Sequence, residues 1–179
     1  MEQKIFDEFC ARIGENPKRE GLKNTPKRLR ELESVLYAGY NTQTKDALGA
    51  LFANDGMDEM VMLKDIEFYS MCEHHILPFF GRIHIGYVPR AHIAGISGLA
   101  RLVEVFARRL QIQENLTNQI ADEINALLEP KGVMVVCEAR HLCMSMRQKH
   151  DPIIKTSAVR GIFKSDQRTR AEFLELLRS

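Results

Sequence analysis

The sequence predicts an α+β domain with a largely antiparallel four-stranded sheet, a two-helix crossover and an N-terminal helical extension over residues 1–55. Three observations predict it. Apolar residues recur at helical spacing through the first third of the chain. From Met60 onward, strand-like runs come in two pairs, "MVMLKDIEFYS" with "RIHIGYV" and "VMVVCEARHLC" with "IIKTSAVRGIF". Between the pairs lie two helical stretches, so the second pair is reached by a helical crossover.

The elements follow in order. Ile5, Phe6, Phe9, Cys10 and Ile13 share one face of a first helix, and Gly14 stops it. "NPKREGLKNTPKRLRELESVLYAGY" is a loop leading into a second helix, with Thr25 as N-cap and Pro26 at the first helical position, where its missing N–H costs nothing. Leu29, Leu32 and Leu36 continue the stripe to Gly39. Residues 44–52 read as a short third helix and "NDG" at 54–56 as a turn. The domain over 56–179 then opens with the first strand pair, whose second member alternates through Ile83, Ile85 and Tyr87. Pro78 favours a non-helical path between the two strands. A helix over Gly98 to Gln111 carries Leu99, Leu102, Val103, Phe106 and Leu110. A second, over Asn115 to Leu128, carries Leu116, Ile120, Ile124 and Leu127 and ends at "EPKG". After the second strand pair, "DQRTRAEFLELLRS" closes the chain as a helix.

Composition removes several function classes. Lys plus Arg is 25 and Asp plus Glu is 24, so no net charge draws the chain to nucleic acid or an anionic membrane. The basic run of Lys18, Arg19, Lys23, Lys27, Arg28 and Arg30 is interrupted by Glu20 and lacks interleaved aromatics, which reads as a solvated helix face. No apolar run is long enough to span a membrane, and "MEQKIFDEFCARIG" lacks the apolar segment of a signal peptide. A cytoplasmic setting is expected. There Cys10, Cys72, Cys137 and Cys143 are small core residues, metal ligands or nucleophiles rather than disulfides.

The chemistry concentrates in "YSMCEHHILPFFGRIHIGYVP", residues 69–89. Cys72 and His75 are three apart, a spacing common among zinc ligands, and thiolate with imidazole favours zinc over magnesium or calcium. Downstream, strand alternation puts Val133, Val135, Cys137, Ala139, His141 and Cys143 on one side. Cys137 sits among valines and reads as core. Cys143, at the strand's end, is the third ligand expected. Three protein ligands leave a corner for water, as in a catalytic zinc site. Spacing alone leaves open a structural site closed by His74 or His141. His84, His92 and His150 are unclustered and read as surface or satisfied core residues.

"CEHHILPFFGRIHIGYVP", "GISGLARLVEVFARRLQIQENLT" and "EARHLCMSMR" resemble, in the same order, the signature segments of GTP cyclohydrolase I, and the flanking segments are similar too. The resemblance implies the tunnelling fold, in which subunits join sheets edge to edge, and a ten-subunit toroid with interfacial sites. It implies zinc on Cys72, His75 and Cys143. It also implies conversion of GTP and water into formate and 7,8-dihydroneopterin triphosphate, the entry to folate or pterin synthesis. Zinc can bring the pKa of bound water down to about 7. By the same resemblance His141 donates a proton to N7 and His74 works near the ribose. Ser97 serves the sugar rearrangement, Glu114 and Gln113 bind guanine, and Arg101 and Arg147 bind the triphosphate. From the residues alone, Gln113 and Glu114 read as an exposed helix end, and Ser97 as an N-cap.

Two departures stand out. Family members usually carry lysine where this chain has Gly98, and the segment "MRQKHDPIIKTSAVRG" is shorter than usual, with Lys149 or Lys155 as candidate replacements for the missing charge. Weaker GTP binding than in a typical member is the expectation. The competing readings are a related enzyme acting on another purine or pterin, and a non-catalytic zinc-stabilised binding or assembly module.

Overall fold

The computed structural model describes residues 2–147 and 151–179. Lys149 and His150 therefore lie outside the described residues.

Helix α1 (Gln3–Ile13) ends where Gly14 takes the left-handed conformation at φ 79°, and its backbone N–H closes on Ala11 O. In α2 (Thr25–Leu36), Thr25 lies inside the helix. Asn24 occupies the cap position without a side-chain hydrogen bond, and Pro26 is in the first turn. The basic residues around α2 are exposed, and Lys27 pairs with Glu31 one turn on. Helix α3 (Thr44–Leu48) is shorter than expected. Gly49 at φ 75° breaks it, and β1 (Leu51–Ala53) takes the remaining residues, pairing antiparallel with β4 (His92–Ala94).

The main sheet starts with β2 (Val61–Cys72) and β3 (Pro78–Val88), an antiparallel hairpin running from Val61↔Tyr87 to Met71↔Pro78. A bulge between Leu63 and Ile66 puts Asp65 at φ 61°, and the Asp65 N–H donates to His84 Nδ1 at 3.1 Å. His84 is thus a satisfied core histidine, whereas His92 is exposed.

The crossover differs from the sequence expectation at its middle. Helix α4 (Ile96–Ala107) starts and stops earlier, because Leu110 and Gln111 form β5 (Leu110–Gln111), which pairs parallel with the end of β2. Helix α5 (Gln113–Leu128) begins at once after it. Then come β6 (Gly132–His141), the one-turn α6 (Leu142–Ser145), β7 (Ile154–Gly161), α7 (Ile162–Ser165) and α8 (Gln167–Arg178). Asp166 caps α8 by accepting from the Arg168 N–H at 2.9 Å.

The sheet order is β5-β2-β3-β6-β7: four long antiparallel strands, as expected, with the two-residue β5 added at one edge. Alternation divides the core. Val133, Val135 and Cys137 face α4 and α5, packing with Leu102, Leu116, Ile120 and Ile124, whereas Met134 and Val136 face Phe163 and Phe173. Cys137 is fully buried, and burial pushes its thiol pKa up to about 12, so it is a core residue as read from the sequence.

One close approach ties the N-terminal segment to this frame. A Cβ built on Gly98 would stand 2.1 Å from the carbonyl oxygen of Leu48. Only a residue without a side chain lets the end of α3 rest on the first turn of α4. Arg101 reinforces the contact, donating from Nε to Ala47 O at 2.8 Å.

Candidate active site

Cys72 is the last residue of β2, and the chain turns immediately after it. The Ile76 N–H returns to Cys72 O at 2.8 Å, and the Cys72 N–H donates to Leu77 O at 2.9 Å. Ile76 at φ 51° closes the loop. The Glu73 N–H donates to Gln111 O at 3.0 Å, so β5 holds the turn against the sheet. This winding carries His75 back over Cys72, with Nδ1 3.9 Å from Sγ.

Cys143 arrives from the other side. The pairing of Phe79 with His141 sets the end of β6 beside the start of β3, and α6 then folds Cys143 inward. The regular strand assumed from sequence ends at His141, so Cys143 reaches the cluster from a helical turn rather than by strand parity. The ligand atoms of Cys72, His75 and Cys143 all lie within 4.8 Å of one another. A tetrahedral zinc with bonds of about 2.0–2.3 Å would hold such atoms about 3.5–3.8 Å apart, so small side-chain adjustments suffice. His74 Nδ1 is also 3.9 Å from Cys72 Sγ, yet it does not join the other two in a four-ligand cluster among the described residues. The donor set of two sulfurs and one imidazole suits a borderline-soft cation with one position free. Without such a cation, burial and the adjacent Cys72 raise the pKa of the Cys143 thiol. A cation in the cluster would favour both thiolates instead.

His141 flanks the cluster. Its ring lies flat on Phe79, with centroids 4.6 Å apart and planes 7° from parallel. Its Nε2 is 2.9 Å from Gln113 Oε1. Burial lowers its pKa, against an opposing pull from Glu114. Glu114 is exposed in the first turn of α5, as the sequence suggested. Gln113 is not: it is 1% exposed, because α5 starts at Gln113 and turns that side chain under the sheet. Arg147 is exposed and donates from Nη1 to His75 Nε2 at 3.1 Å.

Ser97 is exposed in the first turn of α4, but Gly95 rather than Ser97 holds the N-cap position. Arg101 is bound to Ala47 O, and no hydrogen bond or ion pair among the described residues joins Ser97 or Arg101 to the cluster. Lys155 pairs with Glu138 at 2.7 Å. Sequence reasoning missed Phe79, Thr117, Thr156 and Asp151. Thr117 follows Gln113 by one helical turn, a signal that was available. Asp151 accepts from Arg140 Nη1 and from Ser145 Oγ (2.5 Å), tying the shortened segment to α6; nothing local in sequence indicates this.

A family model described as GTP cyclohydrolase I matches residues 2–178. Proteins named GTP cyclohydrolase 1 from Helicobacter acinonychis (strain Sheeba) and Helicobacter pylori (strain J99) are each 54% identical over 179 residues, covering 99% of both chains. One from Helicobacter hepaticus is 56% identical over 180 residues, covering 98% of this chain and 86% of its own. Among solved structures, an archaeosine synthase QueF-like protein in the apo form aligns with 57% of this chain and 93% of its own, at TM-score 0.46 and 19% identity.

Proposed function

The chain belongs to the GTP cyclohydrolase I family, and from that premise we propose that the protein opens GTP and that Cys72, His75 and Cys143 would hold its catalytic zinc. The overall reaction releases C8 of guanine as formate and rearranges the remainder to 7,8-dihydroneopterin triphosphate. When bound, zinc supplies the Lewis acidity that makes water a competent nucleophile near neutral pH.

The chain's own residues do the rest. Glu114, exposed at the start of α5, accepts from guanine N1–H and the 2-amino group together, a bidentate match that a carboxylate provides. His141 delivers a proton to N7 as the imidazole ring opens. Its lowered pKa makes the charged ring a willing donor. His74, exposed beside the cluster, serves proton transfer toward the ribose, and Ser97 the sugar rearrangement. Arg147 and Arg101 neutralise the triphosphate through guanidinium N–H groups beyond those already engaged.

Self-association into a ring, with ten subunits, completes this reading. Among the described residues of one chain no hydrogen bond or ion pair links Ser97 or Arg101 to the cluster, and β7 is an eight-residue edge strand of the sheet. Phe9, Ile13, Leu32 and Val35 present apolar side chains at the surface. The tunnelling fold joins such sheets edge to edge, so residues of neighbouring chains meet at one site. A cytoplasmic location fits the four free cysteines, two of which must stay reduced to hold metal. No helix among the described residues is long and apolar enough to cross a membrane.

The observation that carries the proposal is the convergence of the three ligand atoms within 4.8 Å, with His141 two residues from Cys143. Incubating zinc-loaded protein with GTP, and following pterin absorbance and formate, tests it. Formate from the wild type and none from Cys143→Ala is expected. Equal formate from both, or none from the wild type, overturns it.

A further inference from the structure

We infer that Gln113 is a positioning residue for His141: its buried carboxamide holds the neutral imidazole in the Nε2–H tautomer, which leaves Nδ1 without a proton. The inference rests on His141 being the proton-handling residue proposed above, although the tautomer itself does not depend on that assignment.

The direction of each hydrogen bond can be worked out. Gln113 Nε2 lies 3.0 Å from Cys137 O, 3.0 Å from Ile154 O and 3.2 Å from Thr156 Oγ1. Two of these partners are backbone carbonyls, which only accept, so this end of the amide is the NH2 group. Flipping the amide would set its oxygen against two carbonyl oxygens, in a place where a 1% exposed side chain has no water to relieve the repulsion. The other end is therefore the oxygen, 2.9 Å from His141 Nε2. An amide oxygen carries no proton, so His141 Nε2 must be the donor.

The surrounding hydroxyls agree with this polarity. Thr117 Oγ1 spends its single proton on Gln113 O at 2.7 Å. In the 2.6 Å contact between Thr117 and Thr156 the proton then belongs to Thr156, whose oxygen remains free to accept from Gln113. Each hydroxyl proton is used once, and among the described residues no buried side-chain nitrogen or oxygen lacks a partner. The anchors come from β6 and from β7, facing strands in which Cys137 pairs with Thr156, so the amide is fixed by the sheet itself. Phe79, stacked on the ring, sets its plane. Gln113 sets its rotation and its tautomer. Its NH2 group is committed to β6 and β7, and only the second lone pair of the amide oxygen stays unassigned.

Zinc-loaded full-length protein, uniformly labelled in histidine with 15N, tests this, with His141→Asn assigning the signal. The wild type is expected to show a protonated Nε2 and an unprotonated Nδ1. Gln113→Leu is expected to mix the tautomers and lower kcat by about 10–100-fold, the usual cost of losing an outer-shell partner, with KM for GTP within about twofold. A wild-type His141 protonated at Nδ1 alone overturns the inference, and this measurement decides even where the variant fails to fold. A Gln113→Leu enzyme with raised KM and unchanged kcat also overturns it, by making Gln113 a substrate contact. A protein that shows the expected tautomer yet yields no formate from GTP would overturn the enzymatic reading and leave the hydrogen-bond assignment standing.

Discussion

Gly98 marks a place where packing leaves no room for a side chain. Replacing it with alanine puts a Cβ 2.1 Å from Leu48 O and 3.0 Å from Leu48 C. The obstacle is backbone, so no rotamer change relieves it, and the end of α3 must retreat by at least about 1.3 Å to restore ordinary contact. Overpacking of this kind costs about 1–3 kcal/mol, and the rigid obstacle puts this site in the upper half of that range. Against it stands the helix-propensity gain of alanine over glycine, about 1 kcal/mol. The net expectation is a loss of about 1–2 kcal/mol. A chain of this size loses about 2–4 °C of Tm per kcal/mol, so Tm should fall by about 2–8 °C. Thermal unfolding at fixed protein concentration reads this, and amide exchange over residues 44–49 should quicken as α3 lifts and the Arg101–Ala47 bond loosens. Gly98→Lys introduces the same Cβ, so restoring the family's usual charge should carry the same stability loss. A higher Tm for Gly98→Ala would mean that propensity outweighs sterics and that α3 does not rest on α4 as described.

Three more expectations follow from particular contacts. Chelating the metal should abolish formate release while far-UV circular dichroism stays near native, because Cys72 and Cys143 touch only the rim of a core built mainly by α4, α5 and the sheet; unfolding on chelation would make the site structural. Burial holds the His84 pKa below its usual value of about 6.5, against opposing pulls from Asp65 and Glu138, so the unfolded chain takes up its proton first on acidification. That contribution is present above about pH 6.5 and is lost as pH falls; His84→Gln should flatten the stability slope between about pH 7 and 5, with His141 supplying the remainder, and an unchanged slope would refute it. Asp151→Ala should release α6 from Arg140 and shorten the lifetime of bound metal under chelator about tenfold, with little change in Tm since the groups are exposed; unchanged metal release would show that Asp151 does not steady Cys143.

Much of the site was legible because ligand chemistry is local. Cys72 and His75 stand three apart, and a turn of the chain is enough to bring them together whatever the rest of the molecule does. Cys143 follows by exclusion, since Cys137 sits in a valine-rich strand, but it reaches the cluster by a different route from the one strand alternation predicts. Alternation extends only as far as the strand, and the strand stops at His141. The four long strands and the crossover were legible for the same reason, as hydrophobic period reports the burial of one face. The start of α5 was not: a helix beginning at Gln113 rather than two residues later exchanges an exposed glutamine for a buried one, and no periodicity resolves so small a shift.

Residue types and near spacings determined by themselves the α+β class, Cys72 and His75 as a sulfur and nitrogen donor pair fit for a metal, and the identity of the core strands, because each depends on interactions within a few residues or on one buried face. Tertiary structure alone decided that Gly98 meets a backbone carbonyl fifty positions away. It likewise decided that Gln113 is locked between two strands, and that Asp151 braces the helix bearing Cys143. These are hydrogen bonds and close approaches between distant segments. Their existence depends on ångström-scale geometry that no local pattern encodes.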